Sequence, residues 1–572
     1  MRHLVCICLA LAPAVVTAQP SIDNNGIVNA ASYAKVALPN SSIAQGSFFS
    51  VFGNNLGPAQ SPSLAFPLKP NLGGVTLTVT AGGQNFSAIP LFVGPGQINA
   101  VLPSDVPVGP ATLTVNYNNG SSSTASFQVV AHSFGIFTVA QSGNGPGVIQ
   151  NAKYVQYALG NAALAGDAAI IWGTGLTGVS GQEFAGPLPG DHPDVPVEVY
   201  VGLTKADVSY RGRSGCCVGV DQIVFTVPAG ITGCEIPVAV KIGDIVSNFV
   251  TMPIAEAGAN RVCSDSNGPS PSTITEYLSK GYSGGGITLQ RQTTTTPALP
   301  PPIGTGQPTT STSDTGSANF AKIPPVDLTI ALNPFQVTTI GTCTIFAFVG
   351  DTPVIPDNFT ATPLDAGPYI SVQGPDGTKQ LTLQSKGSYN AQLGGSSGGG
   401  FGGFGVLNMG MVPHDTAPLF LDPGAYTVTG PGGADVGKFT VDLNIAKPLT
   451  WTNESSITAV TRANGQSVTW TGGDPSSIVM ISGFSLELGS NPDGSDTIGA
   501  GFTCYAPDSA GQFEIPAVVL DNLPPSSIIP QVNIPAGSLA LASQQSTTFT
   551  ATGIDQGLLT SIVSVSTSVA YK

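Results

Sequence analysis

A ten-residue pattern that occurs twice constrains the fold of this chain more than any other feature. Residues 94–103 read GPGQINAVLP and residues 219–228 read GVDQIVFTVP, so both fit the pattern G-x-x-Q-I-x-x-x-x-P. A glycine turn opens the pattern, an alternating apolar run follows and a proline ends it, which is typical of a β-strand between turns. The two copies place Gln97 and Gln222 at equivalent positions, and they predict that the first half contains one β-module twice.

Further elements repeat in the same order. Residues 46–58, GSFFSVFGNNLGP, align with residues 166–178, GDAAIIWGTGLTG, and this alignment matches Phe52 with Trp172. About seven short strands with frequent turns in each copy favour an immunoglobulin-like (Ig-like) β-sandwich. We therefore predict one sandwich over 19–140 and a second over 141–257.

The repeat also predicts the environment of single residues. Ile98 and Ile223 are expected in the two cores, and Trp172 is expected there as well because it aligns with a strand phenylalanine. The two recurring glutamines, Gln97 and Gln222, are expected to hydrogen-bond a neighbouring backbone edge.

The composition indicates an exported β protein. Only 9% of the 572 residues are charged, whereas soluble domains average about 25%. The 72 glycines and 48 prolines make turns dense, and the hydrophobic fraction of 41% is sufficient for buried cores. No cluster of lysine and arginine occurs and the net charge is −15, so we expect no nucleic-acid partner.

The first 18 residues are typical of a signal peptide. An apolar run over 4–16 follows Arg2 and His3, and the small residues before Gln19 suit cleavage. The run is too short to span a bilayer, and no later apolar stretch is long enough, so no membrane span is expected after cleavage. We predict a protein that is secreted or held at the cell surface.

The cysteines of the mature chain suggest disulfide bonds, because their number is even and the chain is predicted to be exported. The simplest partition pairs Cys343 with Cys504 and forms two bonds among the other four, whose connectivity stays open. The six candidates are Cys216, Cys217, Cys234, Cys263, Cys343 and Cys504.

Residues 258–322 interrupt the strand pattern. Their tracts of Ser, Thr, Gly and Pro, such as TTTTPALPPP, predict a flexible linker. Alternating strands resume at Ile323, and we predict a third β-sandwich over 323–447 and a fourth over 448–572. A Cys343–Cys504 bond would cross that boundary, in which case 323–572 form one unit.

The motifs of the first half resemble those of a known repeat family. The succession of GIVNAASY at 26–33, FGNNLGP at 52–58, PLKPNLGGV at 67–75 and GPGQINAVLP at 94–103 is similar to a repeat of secreted acidobacterial proteins related to IPT/TIG domains. The resemblance covers about 26–255 and implies Ig-like modules of the kind found in receptors and extracellular enzymes. It implies no cofactor and no catalytic residue. The second copy departs from it at Val220 and Asp221, and by the insertion of Cys216 and Cys217.

Few residues suggest a chemical site. Asn491, Asp493 and Asp496 alternate around a glycine as in a calcium loop, but the closing glutamate is missing and a plain turn is favoured. The glycine-rich stretch 394–405 carries Phe401 and Phe404, which a mobile loop would offer for contact with a partner. The histidines His132, His192 and His414 are isolated, and no G-x-S-x-G motif occurs. Trp451 and Trp470 alternate with threonine and fit either face of a strand.

These observations predict a secreted, all-β, multi-domain protein that binds, adheres or scaffolds outside the cell without catalysis. Its partner would be an extracellular protein or polysaccharide. A polysaccharide-degrading or other hydrolytic enzyme is one alternative, and it would need paired carboxylates from Glu454, Glu487 and Glu514. A structural spacer of an envelope assembly is the other.

Overall fold

The structure is a computed structural model. It describes residues 19–572 except 119, 123, 259, 266–267, 299–305, 332, 336–338, 350–351, 354–359, 396–416, 492–495 and 531. The predicted signal peptide, His414, Asp493 and the candidate contact residues Phe401 and Phe404 lie outside the described residues.

The first module is a sandwich of two sheets with strand orders β1-β3-β8-β7 and β2-β11-β9-β5-β4, and β10 and β6 pair with β9 and β5. Alternation positions the core: Val75, Leu77 and Val79 of β5 are buried between half-buried threonines. The strands are β1 Ser21–Asn29, β2 Ile43–Ala44, β3 Phe48–Asn54, β4 Asn71–Leu72, β5 Val75–Ala81, β6 Gln84–Ser87, β7 Ile89–Val93, β8 Gln97–Val101, β9 Gly109–Tyr117, β10 Gly120–Ser121 and β11 Ala125–Val130.

The second module repeats this plan, with orders β12-β14-β19-β18-β15 and β17-β16-β20-β21, and β13 and β22 pair with β14 and β20. Ile98 and Ile223 are both fully buried in their cores, as predicted. The strands are β12 Gly135–Ile136, β13 Ile149–Asn151, β14 Ala168–Thr174, β15 Gly190–Asp191, β16 Val197–Val201, β17 Thr204–Ala206, β18 Val208–Arg213, β19 Asp221–Thr226, β20 Gly233–Ile242, β21 Ile245–Val246 and β22 Val250–Ile254.

The prediction of a flexible linker over 258–322 is wrong for much of that range. Helix α1 (Pro271–Lys280) begins after Ser270, whose hydroxyl accepts from the amide of Thr273, and two 15-residue strands follow: β23 (Tyr282–Thr296) and β24 (Thr309–Ile323). Polar composition was misleading because cross-strand hydroxyl contacts replace apolar packing. The hydroxyls of Thr293 and Thr312 lie 3.1 Å apart, for example.

The C-terminal half is built on one 14-stranded sheet with the order β26-β25-β37-β36-β41-β42-β23-β24-β30-β29-β28-β31-β32, and β27 pairs with β24. Its remaining elements up to residue 445 are α2 Pro325–Leu328, β25 Cys343–Val349, β26 Thr352–Pro353, β27 Thr362–Pro363, β28 Tyr369–Gly374, β29 Gly377–Ser385, β30 Ser388–Gly395, β31 Gly424–Gly430 and β32 Phe439–Ile445. The later strands and the last helix are β33 Leu449–Trp451, β34 Ala459–Val460, β35 Gln466–Gly472, β36 Ile478–Glu487, β37 Ile498–Pro507, β38 Gln512–Ile515, α3 Ala517–Leu520, β39 Ile528–Ile529, β40 Ile534–Pro535, β41 Gly537–Phe549, β42 Gln556–Ser568 and β43 Ala570–Tyr571. Short 3₁₀ turns lie at Glu454–Ser456, Arg462–Asn464 and Asp508–Ala510.

This sheet runs across the boundary predicted between residues 447 and 448, so two independent sandwiches do not describe this half. Cys343 of β25 lies directly opposite Cys504 of β37, and the two form the predicted bond. The open connectivity of the other four is Cys216–Cys217 and Cys234–Cys263. Strand content dominates throughout, and the chain is all-β with tandem Ig-like sandwiches at its start.

The second module packs against the C-terminal half. Ala239, Val246 and Phe249 belong to the same buried cluster as Cys343 and Trp451. Lys241 reaches Asp521 at 2.8 Å across this contact. In the described part of the chain, no helix is long and apolar enough to cross a membrane.

Candidate functional site

Each Ig-like module begins with a segment that ends in a tyrosine with left-handed backbone. Tyr33 has φ +52° and its amide donates to the carbonyl of Asn29 at 3.0 Å. Tyr154 has φ +60° and its amide donates to the carbonyl of Asn151 at 2.8 Å. Both segments, 26–33 in the first module and 147–154 in the second, thus end in a turn back to an asparagine carbonyl, four residues earlier at Tyr33 and three residues earlier at Tyr154.

Sequence reasoning missed this correspondence, although a signal was present. Residues 26–33 read GIVNAASY and residues 147–154 read GVIQNAKY, which share the glycine and the tyrosine. The asparagine is shifted by one position between the copies, so the match is weaker than that of the strand motifs. The tyrosines show the equivalence once their backbone conformation is known.

Each tyrosine lies beside an aromatic residue of the neighbouring strand. The ring centroids of Tyr33 and Phe52 are 6.3 Å apart, and those of Tyr154 and Trp172 are 6.2 Å apart. Both pairs are tilted, at 43° and 53°, within the range of favourable aromatic contacts. Trp172 is thus half-buried on the outer face of β14, and its predicted place in the core is wrong.

The recurring glutamines complete these clusters. Gln97 of β8 lies opposite Phe52 of β3, and Gln222 of β19 lies opposite Trp172 of β14. Opposite residues of antiparallel strands share a face, so each glutamine stands next to the aromatic ring. Gln97 donates to the side chain of Asn99 at 2.8 Å, which differs from the predicted bond to a backbone edge.

A cleft of about 610 Å³ lies between the two modules. Its lining combines four aromatic side chains with four amides, and it contains no charged residue, thiol or imidazole. The aromatic residues are Tyr33, Phe48, Phe137 and Trp172; the amides are Asn99, Gln141, Gln150 and Gln156. The volume falls in the range of roughly 300–1,000 Å³ that is typical of ligand sites.

Hydrogen bonds orient three of the amides. The side-chain oxygen of Gln150 accepts from the indole nitrogen of Trp172 at 2.8 Å, and that of Asn99 accepts from the hydroxyl of Ser50 at 2.9 Å. The amide nitrogen of Gln156 donates to the carbonyl of Gly147 at 2.8 Å. Because an amide carries both donors and an acceptor, each retains capacity for a ligand beyond these bonds.

The electrostatic environment keeps the cleft uncharged. Burial raises the pKa of the Tyr33 phenol, so this hydroxyl is neutral at physiological pH. Lys35 lies outside the lining, and its ammonium is 5.8 Å from the ring centroid of Phe52. Burial lowers the pKa of Lys35, and the charge of Asp23 opposes that shift. The cleft therefore suits a neutral ligand with both apolar and hydroxyl surfaces.

Buried polar contacts fix the relative orientation of the two modules. Arg213 of the second module donates to the carbonyl of Gly46 of the first at 2.6 Å and forms an ion pair with Asp221 at 3.0 Å. The carboxylate of Glu183 accepts from the amide of Ser104 at 2.8 Å. The cleft walls are consequently preorganised rather than joined by a hinge.

The structure does not assemble the other candidate residues into a site. Trp451 and Trp470 are buried in the C-terminal core. Asp496 accepts from the amides of Ser490 and Asn491 at 2.7 and 2.9 Å, so backbone amides occupy this carboxylate. Among the residues that the structure describes, no group of three or more His, Cys, Asp or Glu side chains is placed to hold a metal ion.

The carboxylates considered for hydrolysis are spread over separate elements. Glu454 lies in a 3₁₀ turn, Glu514 in β38 and Glu487 at the end of β36 in the large sheet. The last two are exposed and Glu454 is half-buried. His132 contacts the carbonyl of Leu176 at 2.6 Å, which is a structural role between the segment after β11 and the loop after β14.

No protein-family model matches the sequence, and no curated protein matches it. Among solved structures, the extracellular region of plexin A4 is 13% identical over 43% of this chain and 20% of that one, with a TM-score of 0.16. SGBP-B from a xyloglucan utilization locus in Bacteroides uniformis is 13% identical over 74% and 96%, with a TM-score of 0.17. A tetra-tandem repeat from the extending region of a large adhesion protein is 13% identical over 97% and 98%, with a TM-score of 0.13.

The chain spans about a fifth of the plexin region that it matches. These TM-scores are too low to carry an argument about ligands or partners. The functional conclusion therefore rests on the residues of the cleft.

Proposed function

We propose that this protein binds a neutral glycan outside the cell, without catalysis, in the cleft between its two Ig-like modules. One observation carries the proposal: the lining combines four aromatic rings with four amides and holds no charge. A sugar ring has an apolar face that packs on aromatic side chains and hydroxyls that exchange hydrogen bonds with amides. A charged polymer would find no counter-ion in this lining.

The extracellular setting is supported by the disulfide bonds. Three pairs form, and such bonds persist in oxidising compartments. We further propose that the modules are IPT/TIG-like, on the motifs quoted above, and that the chain is exported through the predicted signal peptide. Non-catalytic binding is favoured over hydrolysis because the cleft lining offers no carboxylate, thiol or imidazole.

The test is binding of the mature protein to immobilised neutral polysaccharides (mixed-linkage β-glucan, xyloglucan and galactomannan), with anionic alginate as the comparison. We expect at least one neutral polymer to bind and alginate not to bind. Replacing Trp172 by alanine should weaken that binding at least about tenfold, which corresponds to ~1.4 kcal/mol.

Phe346→Ala is the matched control. Phe346 is 40% exposed and lies in β25 of the C-terminal half, so its removal deletes an accessible ring outside the cleft. It should bind like the wild type. Absence of binding to every neutral polymer, equal binding of alginate, or an unaffected Trp172→Ala protein that keeps its fold by circular dichroism would each refute the proposal.

A further inference from the structure

The two modules present the same three-residue cluster on their outer faces. In the first, Tyr33, Phe52 and Gln97 lie together; in the second, the equivalent residues are Tyr154, Trp172 and Gln222. Each cluster joins two aromatic rings with one amide, which is the combination that lines the cleft itself. Sequence repetition alone would preserve core residues, but these side chains lie outside the buried cores.

The backbone of the tyrosines argues that their rings are retained for contact. A non-glycine residue at positive φ costs of the order of 1 kcal/mol, and asparagine or glycine adopts this conformation more readily. Both modules nevertheless carry tyrosine there. Tyr154 is 62% exposed, so packing within the protein accounts for little of its ring. A strained position that carries tyrosine in both modules, with an accessible ring at Tyr154, points to a binding role.

The clusters add aromatic rings next to the cleft lining in both modules. Tyr33 and Trp172 each line it, one from each module, whereas their partners Phe52 and Tyr154 lie outside its lining. Since each partner ring is about 6 Å from its lining ring, aromatic surface continues beyond the cleft lining in each module. A ligand confined to the cleft would leave these outer rings unused.

We propose that the ligand is a linear chain of neutral sugars, long enough to contact both aromatic pairs at once. This inference rests on the proposed function and specifies its ligand as a polymer rather than a mono- or disaccharide. When one sugar chain contacts both aromatic pairs, its binding to the second pair takes place within the complex already formed at the first. Affinity then increases without a tighter individual subsite, because the effective concentration at the second pair is high. The fixed orientation of the modules keeps the two pairs at a constant separation.

The experiment is a titration series by calorimetry, using oligosaccharides from disaccharide to octasaccharide prepared from the neutral polymer that the wild type binds best. We expect affinity to rise at least about tenfold between trisaccharide and octasaccharide. Affinity that reaches its maximum at the trisaccharide would overturn the inference and leave the proposed function intact. If no neutral polymer binds the wild type, the proposed function and the inference of an extended site are both refuted.

Tyr154→Asn isolates the contribution of the outer ring. Asparagine tolerates left-handed backbone, so the variant should keep or slightly raise the melting temperature. We expect it to lose about tenfold in octasaccharide affinity and to stay within about twofold for the disaccharide. Tyr154→Phe keeps the ring and should bind like the wild type. Equal losses for short and long ligands, or no loss for either in a folded protein, would contradict the extended site.

Discussion

Arg213 holds the two modules together from a nearly water-free position. Its side chain is 3% exposed and that of its partner Asp221 is 1% exposed. The same guanidinium donates to the carbonyls of Gly46 and Thr177, so it joins three segments of chain. A buried ion pair contributes little net stability compared with an apolar pair, but removing one partner leaves the other charge buried without a counter-ion.

Replacing Arg213 by methionine should therefore destabilise the protein by about 3–5 kcal/mol, because Asp221 stays buried without its cation. Urea denaturation followed by tryptophan fluorescence measures this change. Lys205→Met is the control, since Lys205 pairs with Glu198 at the surface and its removal should cost less than about 1 kcal/mol. A similar small cost for both variants would show that Asp221 finds another partner or is protonated.

Single residues also show what could be predicted and what could not. Ile98 and Ile223 were assigned to the core correctly because the repeat preserves the inward positions of β8 and β19. Trp172 was assigned there wrongly. Both faces of β14 are apolar, with Ile170 and Trp172 outward and Ile171 inward, so alternation does not distinguish them. The cleft depends on strands and loops from two modules, and no local pattern in the sequence brings them together.

At the scale of elements, the Cys343–Cys504 bond joins β25 to β37 across 161 residues of sequence. Cross-linking a long loop restricts the unfolded chain, and the stabilisation increases slowly with loop length. The bond should contribute strongly because, among the described strands, β25 pairs with β37 on one side and with the two-residue β26 on the other.

The double variant Cys343→Ser with Cys504→Ser should lose about 2–5 kcal/mol of unfolding free energy. The adjacent pair Cys216–Cys217 closes no loop, so replacing both by serine should change stability far less. Differential scanning calorimetry compares the two under non-reducing conditions. Equal melting temperatures for the two double variants would argue against the loop-closure explanation.

The Ser/Thr-rich strands show why composition failed as a guide at this scale. A tract such as residues 293–296, TTTT, lacks the apolar residues of a core strand and resembles a linker. Threonine is β-branched and fits a pleated sheet well when neighbouring strands supply partners. Those partners come from far away in the sequence: the hydroxyl of Thr294 lies 3.0 Å from that of Ser566.

For the whole molecule, the central strand β23 connects the two halves of the large sheet. It pairs with β24 over its full length and with β42 from Gly284 to Thr295. Amide hydrogen exchange should therefore be slow over 284–295, slower than in the edge strand β32, which pairs only with β31. Exchange within seconds over 284–295 would instead support the prediction of a flexible linker.

The parallel pairing of β23 with β42 also constrains the order in which the large sheet forms. The strands of each module pair within that module, whereas the place between β23 and β41 stays empty until residue 556 and those beyond it are available. Until then β23 presents an unpaired edge. The edge is polar because β23 carries threonines, glutamines and Arg291. Polar edges are less prone to pair with strands of other chains. The hydroxyl-rich tract is thus suited both to an exposed strand edge and to the completed sheet.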